Sequence, residues 1–186
     1  MRYAAALAAA ILAAPLVAVA QTPATPAPTT RAQPGAVSPM VTPSTAAEYV
    51  AAAGASDLYE KTSSQLVLDQ TGSDPAVRQF AQHMITDHTQ STDKITAAAK
   101  AAGVTVRAPV MTKQQQAMIE QLRATTSGRG RDHTYLTQQI SAHRDALALH
   151  QNYAEHGDKP SLRQVAQDVA KTVQEHIRML QGLTQG

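Results

Sequence analysis

The stretch Asp74-Pro75-Ala76-Val77-Arg78-Gln79-Phe80-Ala81-Gln82-His83-Met84-Ile85-Thr86-Asp87-His88 opens a helix and shows what that helix faces. Asp74 is a good N-cap and Pro75 suits the first helical position, where no N–H is needed. At about 100° per residue, Val77, Phe80, Ala81 and Met84 share one face with Ile95 and Ala98. His88 follows Met84 by four positions and precedes Ile95 by seven, so it stands on the same apolar face. Gly103 is a plausible C-cap.

Three more long helices follow from the same periodicity. The first spans about 46 to 69, with Tyr49, Ala53, Val67 and Thr71 in register, and stops at Thr71-Gly72-Ser73. The third long helix runs from about Asp132 to Glu155 on Leu136, Ile140, Leu147 and Ala154. The fourth starts at Pro160-Ser161 and carries Leu162, Val165, Val169, Val173 and Leu180. Between the second and third lies a long connection, from about Val104 to Gly130. Pro109 breaks it, Lys113 to Arg123 forms a short helix, and Ser127-Gly128-Arg129-Gly130 reads as a flexible hinge. No stretch alternates like a strand. Short loops make antiparallel hairpins, and the long connection can cross the length of a bundle. The expected fold is therefore all-α: a ferritin-like four-helix bundle whose crossover carries a short extra helix. An up-down-up-down bundle with the extra helix across one end is the alternative.

Upstream of residue 44 the chain changes character. Met1-Arg2, an apolar run from Ala4 to Ala14, and small residues at Ala18-Val19-Ala20 predict a secretory signal peptide over 1–20, cut after Ala20. Residues 21–43 hold six of the ten prolines and read as a disordered Pro/Thr/Ala-rich linker, leaving 44–186 as the helical domain. The expected location is the periplasm, with no transmembrane segment after cleavage and an envelope partner of unspecified kind. The chain has no cysteine, so disulfides, thiolate metal sites, a cysteine nucleophile and a lipid-anchored N-terminus are all excluded. Losing Arg2 with the signal leaves fifteen basic against fourteen acidic residues, too even a balance for nucleic-acid binding.

Each long helix aims one ionisable side chain inward. His143 lies seven after Leu136 and four before Leu147, and His176 lies seven after Val169 and four before Leu180. Glu60 lies seven after Ala53 and seven before Val67. Counted from the turns, the partners within each hairpin differ in level by only about 5 Å, so all four can meet in one layer. Groups of this kind are costly in an apolar core unless paired or bound. Three imidazoles and a carboxylate form a ligand set for one divalent metal, with zinc suited to it and iron possible. Asp57 and Asp87 stand as auxiliary ligands or as acceptors behind the histidines. The competing reading is a purely structural polar layer that fixes helix register. His83, His133, His150 and His156 are weaker candidates; His150 shares the stripe of His143 two turns deeper, and the others look solvent-facing or terminal.

These residues also carry a resemblance. Ser56-Asp57-Leu58-Tyr59-Glu60 with Ser63-Ser64, the segment Phe80 to His88, Ala142-His143 with Ala146-Leu147, and Glu175-His176 together resemble the domain of unknown function 4142 family, over about residues 45–183. The resemblance implies an exported, ferritin-like helical protein of the periplasm or outer membrane, and it names no activity. Where that family often opens the third long helix with Phe-Asp, this chain has Arg131-Asp132. Amphipathic helices with no spanning stretch speak against the outer membrane.

A di-iron oxidase needs Glu-x-x-His on two helices, but Ile85 and Val173 stand three before His88 and His176. No Gly-x-Ser-x-Gly or Ser-His-Asp constellation supports a hydrolase. No catalytic residue is assigned, and a binding protein is expected rather than an enzyme. If a bound ion did chemistry it would activate water, with Asp87 or Glu60 moving the proton. A non-enzymatic binding or stress-protection module, with a structural polar layer, is the alternative function.

Overall fold

A computed structural model describes residue 43 and residues 45–185. The expected signal peptide and, apart from Pro43, the expected linker lie outside the described residues. Those described form five helices and no strand: α1 (Ala46–Leu68), α2 (Pro75–Ala101), α3 (Lys113–Ala124), α4 (Arg129–His156) and α5 (Pro160–Thr184).

The helix starts follow from local chemistry. Thr45 and Glu48 form a capping box at α1, and Thr112 and Gln115 another at α3. Asp74 accepts from the Ala76 N–H ahead of Pro75. The expected hinge at 127–130 is half helix. Gly128 has φ 79°, a left-handed backbone that suits glycine, and α4 begins at the next residue. A Cβ on Gly128 would also sit 3.1 Å from the Gly72 carbonyl oxygen.

Hairpins α1–α2 and α4–α5 pack internally, and α1 also packs on α4 and α2 on α5. Hydrogen bonds at the two ends give the directions. At the start of α1, the Ala46 N–H donates to Asp158 Oδ1 in the α4–α5 loop, 2.8 Å away. At the start of α4, Asp132 accepts from Gln70, Ser73 and the Asp74 N–H in the α1–α2 loop. The α1 start thus lies beside the α4 end, and the α4 start beside the α1 end. The connection after α2 accordingly travels back along the helices before α4 begins, and α3 within it contacts α1 and α4.

Two apolar clusters fill the interior. One gathers Tyr49, Ala53, Ile95, Leu149, Tyr153, Leu162 and Val173; the other gathers Val67, Phe80, Met84, Leu122, Tyr135 and Leu180. Each fully buried Val, Leu, Ile, Phe or Met among them contributes about 1.5–3 kcal/mol. Every long helix places buried ionisable side chains between the two clusters: Asp57 and Glu60 on α1, His88 on α2, His143 on α4 and His176 on α5. The inner face of α4 is turned from the expected one. Leu136, Ile140, Leu147 and Ala154 are only half-buried, while Tyr135, Gln139, His143, Ala146, His150 and Tyr153 are buried. An apolar-periodicity reading misses a face built of Tyr, Gln and His. Thr71 is exposed beyond the end of α1. No helix among the described residues is long and apolar enough to cross a membrane.

Candidate metal centre

His88, His143 and His176 come together from α2, α4 and α5. One ring nitrogen of each lies within 4.8 Å of one ring nitrogen of the others, and all three residues are buried. Ring centroids are 5.3 Å apart for His143 and His176, 5.5 Å for His88 and His176, and 5.7 Å for His88 and His143.

The outward nitrogens are held by fixed acceptors. His88 Nδ1 donates to Asp57 Oδ1 at 2.8 Å, and Thr92 Oγ1 lies 2.8 Å from Asp57 Oδ2. His143 Nδ1 donates to the Gln139 carbonyl one turn back, at 2.9 Å. His176 Nε2 donates to Asp87 Oδ2 at 2.9 Å. An N–H used on the outer side leaves the other nitrogen of a neutral imidazole with a lone pair. His143 Nε2 and His176 Nδ1 then face each other at 3.3 Å, and buried His88 Nε2 has no hydrogen-bond partner.

Charge follows the same geometry. Burial lowers His143 well below the usual histidine range, and neighbouring His88 and His176 lower it further. Burial also pulls His176 down to about 4, against the opposing pull of its Asp87 hydrogen bond. For His88 burial opposes the charge, but the Asp57 hydrogen bond and the carboxylates around it outweigh burial and raise its pKa. His143 and His176 are therefore neutral imidazoles at neutral pH.

Glu60 does not join the three imidazoles. It is fully buried, and its Oε1 lies 3.6 Å from His143 Nδ1, the nitrogen turned toward Gln139. Neither Glu60 oxygen has a partner in good hydrogen-bond geometry, although the neighbouring Gln139 side chain pulls its pKa down. Burial above all pushes its pKa up to about 7. Asp57 and Asp87 stand behind His88 and His176, in the orienting position that metal-bound histidines usually have filled.

His83, expected to face solvent, stands at the edge of this centre. It is half-exposed, and its Nε2 lies 3.2 Å from Asp87 Oδ2. His83, Asp87 and His176 form a second group with ligand atoms within 4.8 Å of one another. The signal was there: His83 and Asp87 are four apart on a helix and so share a face. Gln139 was missed as well; its Nε2 donates to Ser63, and its Oε1 is buried without a partner. His150 is satisfied within the apolar core. Its Nδ1 meets the Tyr49 hydroxyl at 3.0 Å, and burial lowers it to about 4.

No curated protein matches the chain significantly. The fold is similar to the crystal structure of a DUF305 fragment from Deinococcus radiodurans, with TM-score 0.64 and 14% identity, over 74% of this chain and 93% of that one. Residues 28–183 match the family described as Domain of unknown function (DUF4142), and the chain belongs to that family.

Proposed function

We propose that this protein binds one divalent metal ion through His88, His143 and His176, with zinc the ion best suited and iron the next. The observation that carries the reading is the convergence of three inward nitrogens whose outer partners are already fixed. Moving the His176 proton inward would not relieve the crowding. It would satisfy His143 Nε2 but place a bare Nε2 against Asp87 Oδ2. A cation relieves either arrangement.

The energetics point the same way. Glu60 Oε1 and Oε2, His88 Nε2 and Gln139 Oε1 are buried without partners. Each such atom costs about 1–3 kcal/mol, and a domain is stable by only about 5–15 kcal/mol in total. A bound ion would take up the His88 nitrogen, and its charge would be balanced by Asp57, Glu60 and Asp87 close by. Three imidazoles leave a fourth position for water, the pattern of an open zinc site.

Around this centre the four long helices read as a ferritin-like bundle with a crossover carrying α3. Residues 1–20 read as a signal peptide cleaved after Ala20, residues 21–43 as a linker, and the periplasm as the place of work. The test is metal content of the untagged protein, purified without chelator. About one zinc or iron per chain is expected, and His88→Ala and His176→Ala should lose it while keeping their helical circular dichroism. A metal-free protein whose melting ignores zinc, iron and chelator would sink the proposal and leave a structural layer.

A further inference from the structure

We propose that His83, Asp87 and His176 form an outer cation subsite through which the ion reaches the three buried imidazoles, with His176 serving the two subsites alternately through its two ring nitrogens. This rests on the metal-binding reading above.

The exposure of the side chains grades inward along one route. His83 is 45% exposed, Asp87 20% and His176 1%. A cleft of about 180 Å³ is lined by His83, Asp87, His88, Ser91, Lys94 and His176, so one wall touches members of both groups. Ser91 Oγ on that wall is buried and has no hydrogen-bond partner, a polar atom suited to the water carried by a passing ion. The outer group offers two imidazoles and a carboxylate, a sound but more solvated ligand set.

His176 decides how the two subsites communicate. Its Nε2 lies 2.9 Å from Asp87 Oδ2 and its Nδ1 lies 3.3 Å from His143 Nε2. A neutral imidazole has one lone pair. With an ion outside, Nε2 is the ligand and Nδ1–H donates to His143. With an ion inside, Nδ1 is the ligand and Nε2–H donates to Asp87. Passage inward breaks the metal–Nε2 bond and forms a metal–Nδ1 bond. Nδ1 gives its proton to water in the cleft and Nε2 takes one from water there, so the net proton count of His176 is unchanged. The shared ring holds the two subsites to one ion at a time.

The test uses the full chain as its host processes it, stripped of metal and mixed with Zn²⁺ in a stopped-flow instrument. Release is followed with a chromogenic chelator. His83→Ala should still reach one zinc per chain but take it up and release it at least about tenfold more slowly. His133→Ala, an exposed histidine elsewhere, should match the wild type. In excess Zn²⁺, His88→Ala, which loses its metal on purification, should hold zinc only at the outer His83–Asp87–His176 group and surrender it quickly. Nitrogen-15 spectra should find His176 protonated at Nε2 in the zinc-loaded wild type and at Nδ1 in zinc-treated His88→Ala. A wild type that takes up zinc, beside a His83→Ala variant with unchanged rates, overturns the outer route alone. A wild type that takes up no zinc overturns the metal-binding reading and this route with it.

Discussion

Glu60 shows how one misplaced charge shapes the metal-free protein. It sits fully buried beside His143, and burial lifts its pKa from 4.5 to about 7. Between those values the folded state holds a proton that the unfolded state has lost. Stability in chelator should therefore fall as pH rises from 4.5 to 7 and stay lowered above it. Glu60→Gln removes this slope and, at pH 8, should stabilise the metal-free protein by about 1–3 kcal/mol. The gain should shrink toward zero near pH 4.5. Urea titrations of both proteins across that range provide the check, and parallel pH profiles would refute the buried-charge account. His150 contrasts with Glu60. It is equally buried, but the Tyr49 hydroxyl satisfies its Nδ1 and it stays neutral at ordinary pH.

At the scale of elements, the helix ends are tied by few but well-formed contacts. Asp132, on the first turn of α4, accepts from Ser73 and the Asp74 N–H at 2.7 Å and from Gln70 at 3.0 Å. One carboxylate thus locks the α1–α2 turn to the start of α4. The site depends on that lock, because His143 lies three turns further along the same helix and must meet His88 from α2. Asp132→Ala leaves three donors without their acceptor and should cost about 2–4 kcal/mol in urea unfolding. A loss below about 0.5 kcal/mol would mean that the turn is held by other contacts. The Arg131-Asp132 start of this helix carries its tertiary role on the aspartate; Arg131 caps α3 instead, donating to the Arg123 and Thr125 carbonyls.

For the whole molecule, a polar layer lies between two apolar clusters, and every long helix contributes to it. Buried atoms without partners make such a layer costly, and an ion held by His88, His143 and His176 would cross-link α2, α4 and α5. An ion that binds only the folded chain stabilises it by mass action. With free zinc about a hundredfold above Kd the gain is about 2.7 kcal/mol, enough to raise Tm by several degrees. Calorimetry with graded zinc should show Tm climbing with its concentration and dropping back in chelator. A Tm that does not move with zinc would detach the layer from metal binding.

Helix class, the Asp74-Pro75 start of α2 and the inward aim of His88, His143 and His176 were legible from residue order alone. They depend on backbone sterics, capping chemistry and a repeat of 3.6 residues, all of which act over a few neighbouring positions. The turned face of α4, the placement of Glu60 against the outer nitrogen of His143 and the meeting of the His83–Asp87 pair with His176 were decided only by the tertiary structure. Those outcomes depend on how far each helix is rotated and raised against its neighbours. That rotation is a compromise among all the side chains buried together, Tyr, Gln and His included, and no single helix encodes it.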